Sequence, residues 1–326
     1  MRAWQITEHG GPEVLKCVDR PDPRPGPLDV LVKVRSVGLN RADLLQRMGA
    51  YPAPAGAVAD VPGLEYAGEI EAVGDAVQDR KPGDRVMGLI GGGAYAEKLV
   101  VHERETIPVP EQMDWVQAGA TPEAFLTAYR AIFLEGGLQH GQWCLVRAVT
   151  SGIGLAAIQL VRTFGGFSLG TSRGRERLEK VKPYGLDVPL VDGEGDLAKA
   201  VQQHTGTGAH VILDLVGGNG HLNENLQCLR PEGTQVVVGL MAGRDDQVNM
   251  GLILMKRLTV RAMTMRSLPQ ERRMQMAQLF QDRLLPHFLN GNLKPVVDTV
   301  LPFEEAPDAH RLMESGTHTG KIVLTV

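Results

Sequence analysis

Two hydrophobic rhythms divide the chain. From residue 1 to about 110 the apolar runs are short, as in Val30–Val34, Ala67–Val73 and Arg85–Leu89, and stretches such as Pro21–Pro27 and Lys81-Pro82-Gly83-Asp84 separate them. Short runs broken by turn residues predict the strands of a small antiparallel β domain. From about residue 112 the rhythm changes. Val116–Leu134 reads as helical, Trp143–Val149 as a buried strand, Ile153–Phe164 as an apolar helix and Phe167–Thr171 as a strand. A charged helix (Arg175–Lys182), a strand (Val188–Val191), a helix (Leu197–His204) and the strand Ala209–Leu215 follow. A helix near His221–Leu229, the strand Thr234–Gly239 and a sixth strand at Leu258–Thr264 complete the series. Strands alternating with helices through short links predict a parallel sheet covered on both faces. After residue 265 come a long amphipathic helix, Pro269–Leu289, and strands at Val296–Val300 and Gly320–Thr325 around a helix at Glu304–Met313. The last strand is expected to return to the first domain.

Composition narrows the class. At roughly 100–200 residues per domain, 326 residues suggest two domains. The chain is 43% hydrophobic and 22% charged, as a globular protein is, and its net charge of −4 gives no reason to expect nucleic acid as a partner. Cys17, Cys144 and Cys228 are scattered and odd in number, which fits a reducing compartment better than a disulfide framework. The segment Met1–Gly10 lacks the apolar core of a signal peptide, and no apolar run approaches the roughly 20 residues of a membrane helix. A cytoplasmic location is the expectation.

Candidate chemistry begins at Ala148-Val149-Thr150-Ser151-Gly152-Ile153-Gly154, between an expected strand and helix. A dinucleotide fold needs a tight turn at this point, with small residues that let the backbone approach the pyrophosphate and free helix amides that bind it. The full glycine string is absent, because Val149 and Ser151 hold its first two glycine positions. A ligand-free tight turn is the competing reading. At the end of the next strand the chain runs Thr171-Ser172-Arg173-Gly174-Arg175-Glu176-Arg177. No acid stands at the strand end to bond ribose hydroxyls, while guanidinium and hydroxyl groups suit a phosphate, so NADP(H) is favoured over NAD(H). The alternative is a solvated basic helix start paired with Glu176 and Glu179.

Several stretches together resemble the zinc-free, zeta-crystallin-like quinone oxidoreductases of the medium-chain dehydrogenase/reductase superfamily. They are Gly38-Leu39-Asn40-Arg41-Ala42-Asp43, Pro62-Gly63-Leu64-Glu65, Val73-Gly74 with Pro82–Val86, Ala124–Tyr129 and Gly152-Ile153-Gly154 running to Gln159. Ile212-Leu213-Asp214 with Gly217-Gly218, Met265-Arg266-Ser267 and Gly320–Val323 complete the set. Arg266-Ser267 and Leu240-Met241 are most similar to the stress-inducible quinone reductase subgroup. The resemblance implies an α/β fold in which a doubly wound Rossmann sheet (119–264) is inserted in a GroES-like, barrel-type domain (1–118 and 265–326). It implies NADPH in a cleft between the domains, and a homodimer joined through Rossmann edge strands.

By matching motifs, Thr127 lies near the nicotinamide amide, Ser151, Gly152, Ile153 and Gly154 hold the pyrophosphate, and Ser172, Arg173 and Arg177 surround the adenosine phosphate. Val216, Gly217, Leu240 and Met241 line the ribose and nicotinamide side, with Met263, Thr264 and Met265 beside the ring. Asn40 and Tyr51 face the substrate, and Asn40 also serves the ribose. Two positions depart from the pattern: Asp192 stands where relatives often place an aromatic residue, and His318 where some carry asparagine.

Zinc-dependent relatives place a cysteine about where Leu39 stands and a His-Glu pair at Leu64-Glu65; neither the histidine nor a closely spaced cysteine lobe is found here. Zinc needs several N or S ligands in tetrahedral reach, so no metal is expected. A quinone accepts reducing equivalents readily, and the protein's task is then to hold it over the nicotinamide and exclude water. Tyr51 can stack on such a ring or donate a proton, and Asn40 can bond the reduced oxygen or the ribose; a packed loop tyrosine and a turn amide are the plain alternatives. The expected activity is NADPH-dependent quinone reduction. An enone or enal double-bond reductase and a cofactor-binding protein with little turnover stay open.

Overall fold

A computed structural model describes residues 1–326. The chain divides into two units, residues 1–123 with 265–326 and residues 124–264. The first crossing therefore falls between Glu123 and Ala124 rather than between 118 and 119. Hydrogen bonding explains the shift, because the backbone N–H of Glu123 donates to Glu65 Oε2 at 2.8 Å and keeps the segment with the β domain.

In the first unit, β1 (Arg2–Ile6) and β2 (Leu15–Asp19) form an antiparallel pair. The central strand β3 (Asp29–Gly38) leads through helix α1 (Arg41–Arg47) to β4 (Glu65–Val73), β5 (Arg85–Leu89), β6 (Lys98–His102) and β7 (Thr106–Pro108). Val30, Val32 and Val34 alternate along β3, as a strand's period of two requires, and join Tyr66, Ile70, Leu99 and Val101 in one core. Gly63, at φ +105°, precedes β4 in the left-handed region, and a Cβ there would lie 2.6 Å from the Tyr95 ring, so the approach of these segments needs glycine. Helix α2 (Trp115–Gly119) follows, capped by the Asp114 carboxylate on Gln117 N–H.

The expected single helix Val116–Leu134 is thus interrupted. Pro122 opens helix α3 (Pro122–Tyr129) because its ring disfavours helical geometry in the residue before it, and α3 runs into a π-helical turn, Arg130–Glu135. In the second unit, strands β8 (Trp143–Val146), β9 (Phe167–Ser172), β10 (Val188–Val191), β11 (Ala209–Asp214), β12 (Leu229–Val237) and β13 (Thr259–Ala262) alternate with helices α4 (Gly152–Thr163), α5 (Arg175–Val181), α6 (Leu197–Thr205), α7 (His221–Cys228) and α8 (Met250–Lys256). All neighbouring pairs are parallel, in the order β10-β9-β8-β11-β12-β13. This is a doubly wound sheet, as the alternation predicts. Helix α8 has no counterpart in the sequence reading. Its Met250, Leu254 and Met255 are exposed, so it carries no buried stripe for periodicity to reveal.

The chain then returns to the first unit. Where one long helix is expected, α9 (Gln270–Leu279) and α10 (Leu285–Leu289) flank a π-helical turn at Phe280–Leu284. Pro286 has no N–H for the carbonyl four residues back, and a wider turn just before it accommodates that loss. Strand β14 (Val297–Pro302) runs parallel to β15 (Lys321–Thr325), helix α11 (Ala306–Ser315) connects them, and β15 pairs antiparallel with β3. The last strand so completes the sheet β14-β15-β3-β4-β5-β7, with β6 also on β3. No helix is long and apolar enough to cross a membrane.

Phe303 joins the two ends of the chain. Its carbonyl accepts the Trp4 indole N–H at 2.8 Å, and the two rings meet edge to face at 6.3 Å. Phe303→Ala is expected to lower unfolding stability by about 3–5 kcal/mol, measured as a shifted urea midpoint in tryptophan fluorescence.

Candidate functional site

In the second unit the chain winds from β8 outward to β9 and β10, then crosses back to β11 beside β8. In an open parallel sheet ligands bind beyond the carboxyl ends of the strands at such a reversal. The segments that leave β8 and β11 there are the ones the sequence singles out. Ser151 caps α4, its Oγ accepting the Gly154 N–H at 3.0 Å. A Cβ on Gly154 would lie 2.6 Å from the Val149 carbonyl, so the turn closes only with glycine. The first-turn N–H groups of Gly152 and Ile153 have no helical acceptor and face outward from the helix end, as an anion-binding turn requires. Thr171 Oγ1 is buried next to this turn, where Val149 N–H bonds the Thr171 carbonyl, and has no partner within the protein.

At the end of β9, Ser172 is buried, Arg173 exposed and Arg177 half-buried on α5. Arg175 is held aside by Glu194 at 2.7 Å. Asp192 follows β10, and its backbone N–H donates to the Ser172 carbonyl. Its carboxylate meets Arg147 at 3.2 Å. Arg147 is itself almost wholly buried and bonds Glu224 Oε2 (2.8 Å), Asn225 Oδ1 (2.7 Å) and His221 Nδ1 (2.9 Å). The acid that departs from the family pattern thus neutralises an arginine the sequence reading passed over. A lone arginine in the apolar run Trp143–Val149 was the available signal, since a buried charge needs a partner.

On the β11 side, Asp214 Oδ1 accepts the N–H groups of Val216 and Gly217 (2.9 and 3.0 Å). Oδ2 takes Asn225 and Gln235 at 3.1 and 2.9 Å. The loop with exposed Leu240 and Met241 is stitched to it by Ala242 N–H on the Val216 carbonyl. Met263 is buried, its N–H on the Val237 carbonyl, and the Thr264 carbonyl accepts Arg130 Nη1 at 3.1 Å. Thr127 is buried on α3 rather than at a strand end. The structure therefore gathers Ser151–Gly154, Ser172, Arg173, Val216, Gly217, Leu240, Met241 and Met263 along one edge of the sheet, with Arg177 on the adjoining helix. Asn40, Tyr51 and Met265 belong to the first unit.

In that unit Asn40 precedes α1 and is enclosed. Its Nδ2 donates to Glu65 Oε1 (2.9 Å) and the Gly38 carbonyl (3.2 Å), while Oδ1 accepts Lys321 Nζ at 2.7 Å. Both amide protons are committed, so Asn40 has an acceptor lone pair to offer and no donor. The Arg266 guanidinium lies 5.4 Å from the Tyr51 ring centre. It is fixed by Gln46 Oε1 (2.6 Å) and by the Gly91 and Tyr51 carbonyls, each at 2.8 Å. A trough of about 750 Å³ passes Pro54–Val58 and Leu268–Gln270 but is lined by neither Asn40 nor Tyr51. Beneath Asn40, Asp43 accepts the N–H groups of Asn40 (2.8 Å) and Gly63 (3.2 Å), with Tyr95 Oη at 3.4 Å and His310 beyond it at 3.2 Å. Burial pushes the Asp43 carboxyl up to about 7 against the pull of the Asn40 N–H, and burial beside Arg47 pushes His310 down to about 3.

Two families of known proteins match separate parts of the chain. The alcohol dehydrogenase GroES-like domain family matches residues 26–111, and the zinc-binding dehydrogenase family matches residues 152–282. The chain is 32% identical to a quinone oxidoreductase of Rattus norvegicus over 99% of this chain and 97% of the relative. It is 30% identical to the synaptic vesicle membrane protein VAT-1 homolog of Homo sapiens over 99% and 86% of the two chains. The structure of Escherichia coli quinone oxidoreductase complexed with NADPH aligns over 100% of both chains with a TM-score of 0.89 and 26% identity.

A zinc ion does not fit these residues. Leu39 and Leu64 are buried side chains without donor atoms, and Lys321 Nζ sits 2.6 Å from the one carboxylate at hand, Glu65. No three His, Cys, Asp or Glu side chains converge elsewhere as a metal-binding group.

Asp43 sets a pH expectation. Its folded pKa, about 7, lies above its ordinary 3.8, so its contribution to stability is full below about pH 4 and is lost as pH rises towards 7. His310, depressed from 6.5 to about 3, acts oppositely and costs stability as pH falls below about 6.5. Between pH 4 and 7, thermal unfolding of Asp43→Asn should therefore lose less stability with rising pH than the wild type does. Parallel curves would show that Asp43 keeps its charge in the folded state.

Proposed function

The chain belongs to the medium-chain dehydrogenase/reductase superfamily and is an oxidoreductase; on that premise we propose that it is a zinc-independent NADPH:quinone oxidoreductase. The observation that carries the coenzyme half is the turn Ser151–Gly154 at the sheet's reversal, with Arg173 and Arg177 just beyond β9. Likeness to the quinone oxidoreductase of Rattus norvegicus and to the Escherichia coli enzyme with NADPH supports both halves.

In this reading Ser151, Gly152, Ile153 and Gly154 hold the pyrophosphate through backbone amides, and Ser172, Arg173 and Arg177 hold the adenosine phosphate. Thr127, Val216, Gly217, Leu240, Met241, Met263, Thr264 and Met265 line the ribose and nicotinamide. Bound NADPH supplies a hydride, and a quinone that takes it with one proton becomes a hydroquinone. Tyr51 is the proton donor, its loop anchored by Arg266 through the Tyr51 carbonyl. Asn40, with its amide protons already committed to Glu65 and Gly38, serves as an acceptor for a ribose hydroxyl rather than as a donor to the quinone. An enone or enal double bond needs the same hydride donor and is the second reading.

The partner is a second copy of the chain. Strand β13 is exposed along its whole length at the sheet edge, beside the exposed Met250, Leu254 and Met255 of α8. An unpaired strand edge that adjoins exposed apolar side chains is a template for strand pairing.

Replacing Arg173 and Arg177 together by alanine should weaken NADPH binding by about two orders of magnitude or more and leave NADH binding almost unchanged, since two charge-assisted bonds are lost and each is worth roughly 1.5–3 kcal/mol. Fluorescence titration measures both, and equal losses would refute the phosphate role. Turnover against a panel of quinones and enones decides the acceptor, with activity confined to enones removing the first reading. For the dimer, Leu254→Glu with Met255→Glu is expected to give a monomer in light scattering while NADPH titration stays intact.

A further inference from the structure

Lys321 is a buried ammonium beside Leu39 and Glu65, the positions at which zinc-dependent members of the superfamily carry metal ligands. It comes from β15, at the far end of the chain from its partners, and is only 5% exposed. Its three protons have three acceptors: the Leu39 carbonyl (2.6 Å), Asn40 Oδ1 (2.7 Å) and Glu65 Oε1 (2.6 Å). Glu65 is fully buried, and its other oxygen, Oε2, is taken by the Glu123 N–H at 2.8 Å. A metal ion could reach this carboxylate only by expelling the lysine, because like charges cannot share the space and both Glu65 oxygens are already engaged.

We propose that Lys321 is the resident cation of this centre and a positioning residue for the reaction: it balances Glu65 and locks the Asn40 amide with its oxygen towards the ammonium. The orientation follows from hydrogen-bond chemistry alone. An ammonium donates and never accepts, so Oδ1 must face Lys321, and Nδ2 is then turned to Glu65 and Gly38. Remove the ammonium and the Asn40 amide can turn over, presenting a donor where it now presents an acceptor. Arg266 and Asp43 are the other charged groups near by, and neither charged group hydrogen-bonds Glu65 or the Asn40 amide; the Asp43 carboxylate takes the Asn40 backbone N–H, and the Asp43 backbone N–H closes the capping box on Asn40. The kinetic part of this inference rests on the proposed contact between Asn40 and the coenzyme ribose, whereas the charge-balancing part does not.

The test uses the full chain as wild type, Lys321→Met, Lys321→Met with Glu65→Gln, and Asn40→Ala. Lys321→Met leaves a buried carboxylate without its cation and is expected to lower the melting temperature markedly. The double variant removes both charges and is expected to recover most of that loss. If Lys321 orients Asn40, the double variant keeps a KM for NADPH raised about tenfold, the worth of one hydrogen bond, while its kcat stays near the wild-type value. Recovery of stability and of KM together would mean that Lys321 only balances charge, and the positioning role falls. A melting temperature unmoved in Lys321→Met, or stoichiometric zinc in the purified wild type by atomic emission, overturns the resident-cation assignment. Asn40→Ala separates the two readings: if it leaves KM for NADPH unchanged, the ribose contact fails while the melting data still decide the charge balance.

Discussion

The Glu65 carboxylate is the constraint around which the first unit is arranged. A buried charge is tolerated only when it is paired and its lone pairs are filled. Glu65 meets that requirement with groups from three distant parts of the chain: the Asn40 amide, the Glu123 backbone N–H and the Lys321 ammonium. Lys321 and Asn40 are 281 residues apart, so the last strand must come back to β3 for the pairing to exist. The return of the C-terminus, the cap of α1 and the exit towards the second unit therefore share one electrostatic anchor.

The second unit uses a carboxylate in a similar way. Asp214, buried at the end of β11, holds the Val216 and Gly217 amides on one oxygen and the Asn225 and Gln235 side chains on the other. Arg147, at the end of the neighbouring β8, is surrounded by Asp192, Glu224, Asn225 and His221. Loops that leave the sheet edge are fixed by these hubs before any ligand arrives, which lowers the ordering cost of binding. The Ser151–Gly154 turn is preorganised by its own cap and by the close approach of Gly154 to Val149.

Such a frame specifies a coenzyme more narrowly than an acceptor. Phosphates are recognised by backbone amides and guanidinium groups at defined places, whereas a hydride acceptor needs mainly a shaped surface and one proton source. One scaffold can in this way serve several acceptors. The relatives, a quinone oxidoreductase and a VAT-1 homolog at nearly equal identity, carry different names on that same scaffold.

Local pattern determined a good deal by itself. Period-two and helical rhythms, together with Gly and Pro punctuation, are short-range properties, so the change from antiparallel β to alternating α/β and the strands Arg85–Leu89 and Val188–Val191 were legible residue for residue. Ser151–Gly154 was legible because a tight strand-to-helix turn demands small residues wherever it occurs. Where local signals conflicted with covalent geometry, as at Pro122 and Pro286, the expected long helices broke or widened. Helix α8 went unseen because Met250, Leu254 and Met255 are exposed and only Leu252 and Ile253 pack, half-buried, on the core. For the polar partnerships the sequence could signal a need, as the arginine in the apolar run Trp143–Val149 does, but not the partner. Nothing near Asn40 announces that a lysine 281 residues away will fix its amide, and Asp192 reads as an anomaly until Arg147 is seen beside it. Periodicity is set by neighbours along the chain, but a buried charge is satisfied by neighbours in space, and only the folded chain decides which those are.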